Sequence, residues 1–131
     1  MARIRSIKPE FPEDEALGAV SRDARYLFIL CWTRCDDLGR FRAAAALLAS
    51  QLYPYDVDVT AATVAGWIGE LETVGRLRTY VVNDQQYAEV TNWAKHQRID
   101  NASKTGLMPD PPWAAASLGE SPPVAAGGSP P

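Results

Sequence analysis

The stretch from Thr60 to Val90 constrains this chain most. Thr60 stands where a helix N-cap belongs, and Val64, Trp67, Ile68, Leu71 and Gly75 then recur at the spacing of one buried helical face. Gly75 supplies a stop. Two runs rich in Val, Tyr and Thr follow, Arg76 to Val82 and Gln86 to Val90, joined across Asn83 and Asp84, a turn pair suited to a hairpin. A helix feeding directly into a hairpin must bury its apolar face with the apolar side of the strands. The opposite side of that helix is Ala62, Gly66, Gly69 and Thr73, flanked by Glu70 and Glu72, and from Thr60 to Thr73 there is no lysine or arginine. Two interior glycines cost about 1 kcal/mol each relative to alanine, so a close approach to that surface is one reason to keep them. An exposed helix stabilised only by packing is the other.

Upstream, Pro9 and Pro12 predict an extended opening segment, because proline fixes its own torsion and biases the residue before it. A short helix with Leu17 and Val20 inward comes next. Ser21 reads as an N-cap with Asp23 in the first turn, and Ala24, Leu27, Phe28, Cys31 and Cys35 repeat at helical spacing, widened by Tyr26, Ile29, Leu30 and Trp32. This predicts a central core helix. Asp36 to Gly39 is turn chemistry, Arg40 to Arg42 a very short strand, and Ala43 to Leu52 a helix closed by Pro54, with Leu47, Leu48 and Leu52 as its buried stripe. Beyond Trp93 regular patterning stops, and residues 99–131, rich in proline, alanine and glycine, read as a disordered tail. Trp113 is its one large anchor, docked or solvated; composition leaves both open.

With 131 residues, 47% of them hydrophobic, the chain has material for one core and not two. The partition expected is a basic extended arm over residues 1–12, a folded domain over 13–98 and the tail. A net charge of −3 gives no global attraction to nucleic acid, but cations gather locally. No apolar run has the length of a signal peptide or a membrane span, so a soluble cytoplasmic protein is expected, with no membrane partner. Cys31 and Cys35 lie four apart in the apolar helix and read as small buried hydrophobes; His96 is the only histidine, and no zinc ligand set can be assembled. Asp56 and Asp58 invite a metal reading, yet a turn before a helix accounts for both. No metal and no cofactor are expected.

Taken in order, the elements are helix, short strand, helix, helix, strand, strand. That is the order of an α+β winged helix, in which three helices bury one another's apolar stripes and a hairpin seals the open edge of the core. The Thr60 helix becomes the nominal recognition helix and the Asn83 turn the wing. The sequence also resembles a family of phage winged-helix, helix-turn-helix or replisome-organiser-like replication proteins. The resemblance rests on Arg3-Ile4-Arg5-Ser6-Ile7-Lys8-Pro9-Glu10-Phe11, on Ser21 to Arg25 with Leu27-Phe28-Ile29 and Trp32, and on Asp36-Asp37-Leu38-Gly39-Arg40. It continues through Leu52-Tyr53-Pro54-Tyr55-Asp56, the strand pair, and Asn92-Trp93-Ala94-Lys95-His96-Gln97-Arg98. It implies phage DNA metabolism, with origin binding or helicase loading as the default role. The chain departs from the resemblance where relatives often place Asp-Gly in the wing turn, and where longer relatives continue into a C-terminal region.

No enzyme signature is present: there is no phosphate-cradling glycine loop, no nucleophile elbow, and Asp36-Asp37 is better explained as a helix-end turn. The cations that would meet DNA phosphates fall in four clusters. Arg3, Arg5 and Lys8 lie on the arm; Arg40 and Arg42 border the short strand; Arg76 and Arg78 share a strand face; and Lys95, His96 and Arg98 follow the hairpin, with Lys104 beyond. Arg22, Arg25 and Arg34 read as solvated or paired surface charges. Base readout by the Thr60 helix has little to work with, only Thr63 and Thr73. Two functions follow. One is a non-enzymatic protein that holds double-stranded DNA through arm and wing cations, in replication initiation or its control. The other is a winged helix used for protein contact, as a homodimer or as an adaptor to a host or replisome protein, through Ala62, Gly66, Gly69 and Thr73.

Overall fold

The computed structural model describes residues 3–97 and 107–114; Arg98 and Lys104 lie outside these. A 3-10 turn at Phe11–Glu13 is followed by α1 (Glu15–Gly18), α2 (Arg22–Trp32), β1 (Arg40–Arg42), α3 (Ala45–Leu52), α4 (Ala61–Thr73), β2 (Leu77–Val82), β3 (Gln85–Val90) and α5 (Trp93–His96). The expected order of helix, strand, helix, helix, strand, strand is therefore present, preceded by the expected short helix and followed by a further one, α5.

The two longest helices, α2 and α4, start where a side-chain oxygen can take up an orphan N–H. Ser21 Oγ accepts from Ala24 N at 3.1 Å, and Thr60 Oγ1 accepts from Thr63 N at 3.3 Å. Asp14 does the same for α1, accepting from Ala16 and Leu17. Helix α3 starts two residues later than the composition suggests. Ala43 is still extended there, its N–H donating to Gln86 O at 2.9 Å, so the strand ladder claims it first.

The core forms around α2, whose Ala24, Leu27, Phe28 and Cys31 are completely buried, as is Cys35 just beyond. Leu48 of α3, Val64, Ile68 and Leu71 of α4, and Phe41, Leu77, Ala88 and Val90 of the strands close around it. Leu47 and Leu52 are only half-buried, which narrows the α3 stripe to Leu48. Both cysteines are free thiols, and burial pushes both pKa values up, so they behave as small core residues.

Among the described residues three strands form one antiparallel sheet in the order β1-β3-β2. Arg40 pairs with Glu89 and Arg42 with Tyr87 on one side of β3; Leu77 pairs with Val90 and Val82 with Gln85 on the other. Asn83 and Asp84 both take left-handed torsions, φ 51° and 62°, which is the two-residue hairpin turn that matches strand twist and lets β3 begin at Gln85. Alternation places Phe41, Thr79 and Ala88 inward and Arg40, Arg42, Arg78, Tyr80, Tyr87 and Glu89 outward.

That outward face is covered, and of the two alternatives that composition left open for Trp113 the docked one is seen. Residues 107–114 lie across it. Met108 N donates to Asp36 Oδ2 at 3.0 Å, Tyr80 OH donates to Pro109 O at 2.7 Å, Pro111 is fully buried, and Trp113 Nε1 donates to Glu89 Oε1 at 2.9 Å. Prolines here remove conformational entropy from the unfolded chain, and the indole and Tyr80 give the segment apolar surface to bury. Trp113 is thus docked, and the folded part of the chain extends beyond residue 98.

Candidate functional site

The arm was expected to be free to lie along DNA, but its arginines are committed to the fold. Arg3 N donates to Thr33 O at 2.8 Å, and the Arg3 guanidinium pairs with Asp37. Arg5 goes further: its side chain is 6% exposed, donates to Trp32 O at 3.1 Å and to Cys35 O at 2.9 Å, and lies 5.0 Å over the Trp93 ring. The last carbonyls of α2 have no intrahelical partner and carry the negative end of the helix dipole, so a guanidinium placed there is both a cap and a counter-charge. Ser6 is tied down as well, its N–H donating to Gln97 Oε1 and its carbonyl accepting from Gln97 Nε2. Of the arm's three cations only Lys8 remains exposed with no ion-pair partner among the described residues.

The strand arginines are similarly engaged. Arg40 is 8% exposed and lies between Glu89 Oε2 at 3.0 Å and Asp110 Oδ1 at 2.6 Å; burial opposes its charge, but these two carboxylates outweigh that and hold its pKa above the usual value. Arg78 stacks on Trp113, Arg42 donates to the Gln85 side chain, and Arg76 makes a forked contact with Asp14 at 2.9 and 3.1 Å. Arg40 and Arg5, both expected to meet DNA phosphates, thus spend hydrogen bonds on groups inside the fold.

What the structure does bring together is Lys8, Arg76, Lys95 and His96. They rim a cleft of about 330 Å³ between the arm and α5, completed by Glu10, Phe11, Asp14, Trp32 and Asn92. Its aromatic components are interlocked: Phe11 meets Trp32 edge-on at 5.5 Å, and His96 lies tilted against Trp32 at 5.3 Å. Burial, with the charges of Arg76 and Lys8 adding to it, lowers the His96 pKa despite an opposing pull from Asp14. Asp14, hydrogen-bonded by Arg76, is held below the usual carboxylate range. The indole N–H of Trp32 is buried and has no hydrogen-bond partner among the described residues. Sequence reading found the cations of this cleft but not Phe11, Trp32 or Asn92, which come together only through the fold. The hairpin pattern could have located Asn92, whose φ of 54° turns the chain from β3 into α5.

This cleft lies at the end of the sheet away from the Asn83 turn. Five residue steps separate the Leu77–Val90 pair from the Val82–Gln85 pair, about 17 Å at strand rise. Arg42 and the Asn83 turn are thus at one end and the Lys8, Arg76, Lys95 group at the other.

Helix α4 presents the surface expected of it. Ala62, Gly66, Gly69 and Thr73 are exposed, and a Cβ at either glycine would meet nothing within 4 Å. Its two neighbouring carboxylates turn aside: Glu70 accepts from Ser21 N at 2.7 Å, and Glu72 accepts from Thr79 N and Oγ1 at 3.2 and 2.8 Å. The face is left small and nearly uncharged.

Asp36 proves to be a structural residue, 2% exposed, its carboxylate accepting from the backbone of Leu38, Arg40 and Met108. Among the described residues no group of three or more His, Cys, Asp or Glu side chains is placed to hold a metal ion, and no helix is long and apolar enough to cross a membrane. Comparison with protein-family models, curated proteins and solved structures finds no match to this chain.

Proposed function

We propose that this chain is a non-enzymatic winged-helix protein of the phage replication type that holds DNA through its phosphates, without reading bases. The observation that carries this reading is the rim of the arm–α5 cleft, where Lys8 and Lys95 stand exposed beside Arg76. The two lysines offer point charges to a backbone rather than a forked donor to a base edge. The element order and the Arg3 to Phe11 and Asn92 to Gln97 segments support the family part of the proposal. The absence of any cation on α4 supports the non-specific part. Fluorescence anisotropy with short duplex DNA across a salt series tests it. Affinity should fall steeply with salt, and the Lys8→Ala/Lys95→Ala double variant should reduce the slope by about 2, one contact for each lysine. Undetectable binding at low salt overturns the proposal.

A second reading, contact with a protein, is favoured by one specific observation: the open space over Gly66 and Gly69 on a face with no cation. A homodimer or an adaptor would use that face. Mass measurement in solution should then show an assembly that Gly66→Glu disrupts, and a strict monomer that captures no partner counts against it.

A further inference from the structure

The cleft between the arm and α5 combines a cationic rim with an aromatic wall, and phosphate holding alone requires only the rim. Its rim carries Lys8, Arg76 and Lys95 against only Glu10 and Asp14, and Asp14 is turned to Arg76. Neither lysine has an ion-pair partner among the described residues. Its wall is aromatic: Phe11 and His96, both half-buried, line it and are braced by the buried Trp32 and Phe28. A cationic groove interleaved with aromatic rings is the chemistry that holds unpaired nucleotides: the cations track the phosphate, and any base offers a π-face to stack. Duplex DNA keeps its base faces inside its own stack and can give the cleft only phosphate. The volume agrees, since about 330 Å³ lies at the small end of ligand pockets and has room for one nucleotide but not a base pair.

We infer that the cleft is a single-nucleotide site, taking the phosphate on Lys8 and Lys95 and the base against Phe11 and His96, so that the protein prefers unpaired DNA to duplex. The inference rests on the DNA-binding reading above and adds to it the strand state of the ligand. Asn92, on the same rim, offers an amide to a base edge, which tolerates any base and suits a site without sequence preference.

Because His96 is the only histidine, its ring resonances report on the cleft without ambiguity. The full chain, free of any histidine tag, is titrated with an oligothymidylate, with a blunt duplex of the same length, with thymidine 5′-monophosphate and with inorganic phosphate, while anisotropy gives the affinities. Oligothymidylate should bind about tenfold tighter than the duplex, the gain from stacking one base, and should move the His96 ring signals. The monophosphate should move them in the same direction, and Lys8→Ala/Lys95→Ala should weaken binding of both DNAs. Equal affinity for both DNAs with His96 unmoved overturns the inference while leaving DNA binding intact. Phosphate alone reproducing the His96 shift at the same concentration as the nucleotide shows an anion site and overturns the base-stacking part. No binding of either DNA overturns both readings. Phe11→Leu is the companion variant: it keeps an apolar side chain against Trp32, and loss of the single-strand preference without loss of duplex affinity supports the assignment.

Discussion

Arg78 lays its guanidinium over the indole of Trp113, 3.8 Å from the ring centre. The same indole meets Tyr80 edge-on at 5.4 Å and donates to Glu89, so one side chain of a proline-rich segment joins β2 to β3 from outside. Trp113→Ala should therefore release residues 107–114 and lower stability by about 1–3 kcal/mol, from lost apolar burial and one lost cation–π contact. Urea denaturation followed by circular dichroism measures the loss. Limited proteolysis should cut the released segment in the variant and spare it in the parent. Release also uncovers Tyr80, whose pKa burial now raises to about 12; its ultraviolet titration should move back toward the ordinary range.

Arg5 stands beside the last carbonyls of α2, and its replacement separates two roles that an arm arginine can have. If it served DNA, Arg5→Ala would weaken binding and spare the fold. With its donors on Trp32 and Cys35 and its face on Trp93, the expected outcome is the reverse: a loss of about 2–3 kcal/mol, typical of a charged group hydrogen-bonded to buried carbonyls, with the salt slope of DNA binding unchanged. Arg5→Lys should recover only part, because an ammonium cannot span both carbonyls and stack on a ring.

The helices, strands and core were legible because they are local periodicities. Ala24, Leu27, Phe28, Cys31 and Cys35 repeat at helical spacing and all are completely buried; Ser21 and Thr60 sit at the caps that their chemistry suggests. What the arginines do was not legible, because a guanidinium carries no mark of its partner. Arg40 finds Asp110 seventy residues away and Arg5 finds Cys35 thirty away. The local gathering of lysines and arginines identified the clusters, but only the fold decides which cations are spent on carboxylates and carbonyls and which, like Lys8 and Lys95, remain on a rim. The docked 107–114 segment was hidden for a related reason. Its composition is that of a tail, and its order comes from surface on the sheet that the segment cannot itself display.

Asp14 links the N-terminus of α1 to Arg76, and the pairing has a pH signature. Its folded pKa is lowered, chiefly by the Arg76 hydrogen bond, so the charged form is favoured by folding. Its contribution is therefore present above the pKa of the unfolded chain and is lost as pH falls through the folded value. Asp14→Asn keeps an acceptor for the Ala16 and Leu17 N–H groups but removes the charge and the Oδ2 acceptor that Arg76 Nε uses. The variant should be less stable than the parent near neutral pH, and the gap should close under acid. A gap that persists unchanged at acid pH would show that the cap, not the ion pair, sets the difference.

Gly39, Gly66 and Gly69 make opposite predictions for the same substitution. Gly39 has φ +82°, and a Cβ there would lie 2.6 Å from Trp93 Cγ, in the turn where Gly39 N donates to Asp36 O at 3.1 Å and Trp93 Nε1 donates to Asp37 O at 3.1 Å. Alanine must either strain the left-handed torsion or push the indole out of its contact, so Gly39→Ala should cost about 2–4 kcal/mol. Gly66 and Gly69 lie inside α4 with nothing within 4 Å of a Cβ, and alanine there restricts the unfolded chain and suits the helix. Gly66→Ala and Gly69→Ala should each stabilise by about 0.5–1 kcal/mol. Urea midpoints for the three variants at constant m-value measure all three effects. If the two α4 variants are more stable yet lose self-association or a captured partner, the glycines serve close approach by another surface. If they are simply more stable and nothing else changes, α4 is an exposed helix whose glycines have no partner to admit.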